Sequence, residues 1–152
     1  MNFILKYFDD LTVHEMYDLL QLREEVFQIE QNCVYKDIDD KDKQCWHLLM
    51  YKGKKLVAYA RLVPEGISYK EYASIGRVVS KTAHRKEGYG RALMLEAMQQ
   101  MQNLFSGIPV KISAQAYLQK FYETFGFTKV SDPYLEDDIP HIMMIAMIAL
   151  SN

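Results

Sequence analysis

The sequence predicts an α/β (α+β) protein, a central mixed β-sheet flanked by helices, built as a single domain over residues 1–152. Three observations predict it. Two apolar runs, Cys45 to Tyr51 and Lys55 to Val63, flank Lys52-Gly53-Lys54 and read as a β-hairpin. The stretch from Tyr72 to Ala114 reads as strand, glycine loop, helix and strand, which suggests a parallel crossover. The final run, Ile142 to Leu150, is apolar at both alternating sets of positions, as a central strand is.

The elements follow in order. Thr12 to Gln28 carries Val13, Met16, Tyr17, Leu19, Leu20, Val26 and Phe27 at helical spacing, and Thr12 with Glu15 fits a capping box. Asn32 to Lys43 is polar, acidic and irregular, and reads as a solvated loop. The hairpin comes next and stops at Pro64. Tyr72 to Ser80 is a third strand. A glycine loop then opens onto the amphipathic segment Arg91 to Phe105, which Gly107 and Pro109 break. Val110 to Ala114 is a short buried strand. Tyr117 to Phe125 is a short helix closed by Gly126. Phe127 to Val130 and Ile142 to Leu150 are strands around an acidic loop, Glu136-Asp137-Asp138.

Composition narrows the function classes. A length of 152 residues suits one domain, and 49% hydrophobic residues supply a sizeable core. The net charge of −2 argues against a general nucleic-acid partner. No stretch approaches the roughly 20 apolar residues that span a bilayer, and the start, MNFILKYFDD, lacks the form of a secretory signal. Cys33 and Cys45 fit neither a disulfide framework nor a zinc site, so the expectation is two free thiols in a cytoplasmic protein, with Cys33 a buried small apolar residue. The run Asp37, Asp39, Asp40, Asp42 lacks the glycine and terminal glutamate of a calcium loop; it reads as solvated, with a field attracting cationic amines as the sharper alternative.

The most informative stretch is Arg85-Lys86-Glu87-Gly88-Tyr89-Gly90, which leads from the third strand into a helix beginning near Arg91. Glycines let backbone approach a ligand closely, and a helix N-terminus offers unpaired N–H groups and partial positive charge. Together they fit a cradle for a pyrophosphate. An ordinary turn also uses glycine, so spacing alone leaves both readings open. The stretch lacks the G-x-x-x-x-G-K-[ST] of a nucleotide-triphosphate enzyme and the third small residue of a dinucleotide fingerprint.

Two separated motifs resemble the GNAT superfamily of acetyl-CoA-dependent N-acetyltransferases. One is Gly76-Arg77-Val78-Val79-Ser80 followed by Arg85-x-x-Gly88-x-Gly90. The other is Phe121-Tyr122-Glu123-Thr124-Phe125-Gly126-Phe127. A narrower similarity, to the ElaA-type branch, rests on Leu22-Arg23-x-x-Val26-Phe27-x-x-Glu30-Gln31-x-Cys33-x-Tyr35-x-Asp37-x-Asp39, His47-Leu48, Gln115-Ala116 and Asp138-Ile139-Pro140-His141. That branch commonly has glycine where Asp138 stands, and an apolar residue where Ser80 stands. The resemblance implies the GNAT acyl-CoA N-acyltransferase fold and acetyl transfer from acetyl-CoA to a primary amine of a small molecule or peptide; direct transfer is expected because Cys33, the one tempting nucleophile for an acyl intermediate, has no clear partner base in the sequence. It also implies that main-chain groups of Arg85, Lys86, Glu87, Gly88, Tyr89, Gly90 and Arg91 hold the pyrophosphate. Val78, Val79 and Ser80 then pair with the pantetheine arm, and one of their amides polarises the thioester carbonyl.

Candidates for proton transfer follow from the chemistry. A phenol with a pKa of about 10 can protonate a departing thiolate whose acid has a pKa of about 8.5, and Tyr122 fits that role. Glu30 and His141 compete as the group that takes the amine proton, with His47 a third polar candidate that is more easily a satisfied structural group. No membrane or nucleic-acid partner is expected; a homodimer is common in the superfamily. A non-catalytic CoA-binding module of the same fold is the alternative.

Overall fold

The computed structural model describes residues 1–81 and 87–151. Arg85 and Lys86, two of the expected phosphate-loop residues, lie outside that range.

Eight strands and three α-helices are described: β1 (Asn2–Tyr7), α1 (Val13–Arg23), β2 (Trp46–Lys52), β3 (Lys55–Val63), β4 (Ser74–Ser80), α2 (Tyr89–Leu104), β5 (Val110–Gln115), α3 (Gln119–Glu123), β6 (Thr128–Lys129), β7 (Tyr134–Glu136) and β8 (Ile139–Ala146). The first four strands form an antiparallel sheet in the order β1-β2-β3-β4. β8 is the centre of the second sheet, with β5 on one side and β6 and β7 on the other, all antiparallel to it. The sheets meet where β4 and β5 run parallel, joined across the α2 crossover by one bridge between Ala73 and Val110. Ala73 N donates to Pro109 O at 3.0 Å and Lys111 N to Ala73 O at 2.9 Å. Beyond that bridge β4 and β5 part.

The sequence explains why the first sheet is covered on both faces. In β2, Leu48 and Met50 face one way and Leu49 and Tyr51 the other, the period of two that a pleat imposes. Leu48, Met50, Ala58, Ala60 and Leu62 pack with Leu93, Met94, Ala97 and Met101 of α2. Leu49, Tyr51, Tyr59 and Val79 pack instead with Leu19, Leu22 and Val26. Strands buried on both faces read as unbroken apolar runs, and β3 is buried from Leu56 to Val63.

Several local expectations are refined. The capping box forms: Glu15 N donates to Thr12 Oγ1 at 3.1 Å, and Thr12 N to Glu15 Oε1 at 2.9 Å. The first helix ends as α at Arg23 and continues as a wider π-helical segment over Glu24–Glu30, in which Gln31 N reaches back to Val26 O. The N-terminal strand β1 is not among the expected elements; only residues 2–7 form it, and it lies at the sheet edge with every residue at least partly exposed. The last strand ends at Ala146 rather than Leu150. Glu136-Asp137-Asp138 is the tight turn of a β7–β8 hairpin, not an open loop.

The acidic run is a correction. Asp37 and Asp42 are buried, 7% and 6% exposed, so neither a solvated loop nor an attracting field describes them. Arg23, with no exposed surface, gives Nε to Asp37 Oδ2 at 2.9 Å and Nη1 to Asp42 Oδ1 at 2.8 Å. Arg61 Nη1 binds Asp39 Oδ1 at 2.8 Å and Asp42 Oδ1 at 3.0 Å. Arg77 Nε binds Asp37 Oδ1 at 2.8 Å and its Nη2 binds Asp39 Oδ2 at 3.2 Å. Charges inside a fold must be paired and hydrogen-bonded. Three arginines from three elements meet three aspartates of one loop, and that balance pulls the loop inward.

Candidate active site

The parting of β4 from β5 opens a cleft of about 750 Å³. β4 is the last strand of its sheet and β5 an outer strand of the other, so two strand edges border the opening. Residues Ile75–Ser80 line it from one side and Ile112–Gln115 from the other.

The start of α2 contributes Gly88, Gly90 and Arg91. Gly88 is the N-cap at φ 78°, a left-handed conformation that glycine takes without a Cβ clash. It makes no side-chain cap, so no side-chain oxygen at the cap satisfies the first amides of α2. Glu87 and Tyr89 are not among the cleft-lining residues. Glu87 Oε2 pairs with Lys52 Nζ at 3.6 Å, and Tyr89 is buried in the core beneath that same ammonium, 5.9 Å from its ring centre. Arg91 stacks its guanidinium on Phe125 at 5.4 Å.

Val78, Val79 and Ser80 all line the cleft from β4. The strand is bulged there: Tyr59 faces Val79 and Arg61 faces Gly76, so Arg77 and Val78 together oppose the single residue Ala60.

Tyr122 projects from α3 into the cleft and is only 7% exposed. Burial, with the neighbouring Tyr117, pushes its phenol pKa up to about 12, so the hydroxyl keeps its proton at neutral pH. Its ring packs edge-on against Phe121 and Phe127.

The π-helical segment brings Val26, Phe27 and Glu30 to the cleft; such wide turns often mark functional sites. Glu30 is exposed at the segment's end. His141 is buried on β8 and closes the β7–β8 side. Its Nδ1 lies 2.7 Å from Ile139 O, so Nδ1 is the protonated nitrogen, and Nε2 lies 3.4 Å from Glu136 Oε2. Glu136 also accepts from Ser113 Oγ at 3.2 Å. The cleft thus gathers Tyr122, Glu30 and His141. It does not gather His47, which is fully buried elsewhere with Nε2 2.9 Å from Asp42 O and Nδ1 2.6 Å from Tyr59 Oη.

Cys33 is a second correction. It is half-exposed on the cleft wall, with Sγ 3.5 Å from Asp137 O, rather than a buried apolar residue. Desolvation and the carboxylates of Asp137 and Asp138 raise its thiol pKa. Glu136 and Ser113 escaped the sequence reading. Their signal was weak, since each is a lone polar residue whose meaning comes from the β5–β8–β7 pairing that brings it beside His141.

This arrangement, a cleft between two parting strands under a glycine-capped helix, defines the acyl-CoA N-acyltransferase class of fold. The family model for the acetyltransferase (GNAT) domain matches residues 10–147. A UPF0039 protein of Schizosaccharomyces pombe is 46% identical over 95% of each chain. Escherichia coli ElaA is 44% identical over 89% of each chain, and its crystal structure superposes with a TM-score of 0.90, covering 96% of this chain and 99% of that one. The crystal structure of an acyl-CoA N-acyltransferase from Pseudomonas aeruginosa gives a TM-score of 0.90 at 43% identity, again covering 96% and 99%. The chain belongs to the GNAT acetyltransferase family and is an N-acetyltransferase of its ElaA-like branch. No helix among the described residues is long and apolar enough to cross a membrane.

Proposed function

We propose that the protein, acting as one catalytic domain, transfers the acetyl group of acetyl-CoA directly to a primary amine of a small molecule or peptide. The observation that carries this reading is the cleft itself, with the edges of two parting strands on its walls and the glycine-capped start of α2 beside it.

The residues present fit that donor. An extended arm bearing amides pairs with a strand edge as an added strand does, and the β4 edge at Val78, Val79 and Ser80 offers that pairing. The amides around Gly88, Gly90 and Arg91, with the Arg91 guanidinium nearby, suit a pyrophosphate. Arg85 and Lys86 belong to the same loop in the proposal, as do the backbones of Glu87 and Tyr89. The donor supplies an activated thioester; the chain supplies orientation and proton traffic. An amide of the β4 bulge donates to the thioester carbonyl oxygen, where negative charge develops. Tyr122, kept protonated by burial, gives its proton to the departing sulfur. His141 receives the amine's proton at Nε2, and the Glu136 carboxylate beside it stabilises the imidazolium. Glu30, exposed where the π-helical segment borders the cleft, holds the amine's positive charge before that transfer. The raised thiol pKa of Cys33 supports direct transfer over an acyl-cysteine route.

The test is amine-dependent release of free thiol from acetyl-CoA across a panel of small and peptidyl amines. Release is expected with at least one of them. Tyr122→Phe is expected to lower turnover by about 10²- to 10⁴-fold, the usual contribution of a general acid, with acetyl-CoA affinity nearly unchanged. Tight acetyl-CoA binding without amine-dependent release from any amine favours a non-catalytic CoA-binding module instead.

A further inference from the structure

We infer that Arg77 is a positioning residue: its side chain, clamped by the acidic loop, holds the β4 bulge in the shape that presents a backbone amide to the donor's carbonyl.

The bulge changes the parity of β4. Ile75 packs on the α2 side of the sheet. Strict alternation from Ile75 would put Val79 on that side too. Instead Val78 packs there and Val79 joins the α1 core beside Tyr59. One extra residue makes the switch, and Arg77 is the residue that bends, at φ 52°. A non-glycine residue in the left-handed region costs about 1–2 kcal/mol and persists only where its surroundings hold it.

Among the described residues, the side chain of Arg77 is clamped as well as the strand on either side of it. Arg77 Nε binds Asp37 Oδ1 at 2.8 Å. Its Nη2 binds Asp37 O at 3.1 Å and Asp39 Oδ2 at 3.2 Å. Its guanidinium lies 5.3 Å from the centre of the Tyr35 ring, and Tyr35 itself lines the cleft. The aspartates are not free to follow Arg77, because Arg23 and Arg61 already hold them. The loop bearing Cys33 and Tyr35 on the cleft wall is therefore bolted to the strand that meets the donor. Arg77 acts through the backbone it bends, with its charge turned to the loop.

This inference rests on the reading of β4 as the donor strand, and its test separates the two. Acetyl-CoA labelled with ¹³C at the acetyl carbonyl is bound to the protein, its affinity is measured by calorimetry, and the carbonyl stretch is read by isotope-edited infrared spectroscopy. In the unaltered protein the band is expected below its position in free acetyl-CoA, because the carbonyl is polarised. In Arg77→Gln the band is expected to return most of the way to the free position while Kd stays within about threefold, under 1 kcal/mol. A residue that only stabilises the fold would lower the melting temperature and leave the band displaced. That result, a fully displaced band in folded Arg77→Gln, overturns the proposal. Should that variant fail to fold by circular dichroism, Asp39→Asn is read in its place. It leaves both contacts with Asp37 and weakens one, so an intermediate band supports the clamp and an undiminished displacement overturns it. An unaltered protein that binds acetyl-CoA with no displaced band also overturns it, whereas one that binds no acetyl-CoA overturns the donor assignment itself.

Discussion

At the scale of single residues, the proposed division of labour between Glu30 and His141 follows from where each lies in the cleft. His141 has one ring nitrogen tied to Ile139 O and the other beside Glu136, so it can gain a proton without turning. Glu30 sits exposed on a different wall, where a carboxylate can meet a cationic amine without the cost of burial. His141→Asn is therefore expected to alter the acidic limb of the pH–rate profile and to lower kcat. Glu30→Gln is expected to raise KM for the amine and leave that limb in place. The reverse pattern would move the base to Glu30. That Tyr122 lines the cleft was legible in the sequence because Phe121-Tyr122 with Gly126-Phe127 resembles a family signature. Asp37, Asp39 and Asp42 were not, since their arginine partners stand on α1, β3 and β4 and nothing within the loop shows that those elements converge on it.

Among elements, the β7–β8 hairpin places both Glu136 and His141, and its turn is held at a cost. Glu136 faces Ile139, leaving Asp137 and Asp138 as a two-residue connection with φ of 51° and 63°. Positive φ at both positions is the primed turn that matches strand twist, and glycine is the residue that takes it most readily. Such a turn suits the glycine that the family resemblance leads one to expect where this chain has Asp138. Asp138→Gly is expected to stabilise the protein by about 0.5–1 kcal/mol, the backbone strain relieved less the added freedom of the unfolded chain. In a chain of this size that raises Tm by about 1–4 °C, measurable by calorimetry. A lower Tm would mean that the aspartate side chain contributes more than its backbone costs. The turn was visible beforehand only as an acidic stretch, because its tightness comes from pairing with β8. The π-helical segment was hidden for a similar reason: Thr12 to Gln28 keeps its apolar spacing while the hydrogen-bond ladder widens after Arg23. β1 escaped because Phe3-Ile4-Leu5 is a three-residue apolar run, too short to show a period, and its pairing with β2 is long-range.

Across the whole molecule, the strand–helix–strand unit announced the parallel relation of β4 and β5, yet not that their pairing stops at Ala73 and Val110; periodicity carries no sign of that opening. The same long-range character governs the response to acid. His47 is buried neutral beneath the acidic loop, its Nε2–H donating to Asp42 O and its Nδ1 accepting from Tyr59. Burial, reinforced by the charges of Arg23 and Arg61, holds its pKa below the usual histidine value despite the opposing pull of Asp42. Asp39 and Asp42 lie below the ordinary carboxylate range: burial acts to raise them, and the arginines outweigh it. All three groups bind protons more weakly folded than unfolded, so stability falls as protons are added. For His47 the loss begins as pH drops below about 6.5, where the unfolded histidine takes up its proton. For the aspartates it begins near pH 4, the unfolded carboxylate value, and runs down through their depressed folded values. Denaturant unfolding measured from pH 8 to pH 3 is therefore expected to show two successive declines. His47→Gln keeps a donor for Asp42 O and cannot titrate, so it should abolish the first decline and spare the second. A first decline that survives the substitution would assign that proton to another group, and a second decline that is absent would mean the arginine–aspartate cage is already open before acid reaches it.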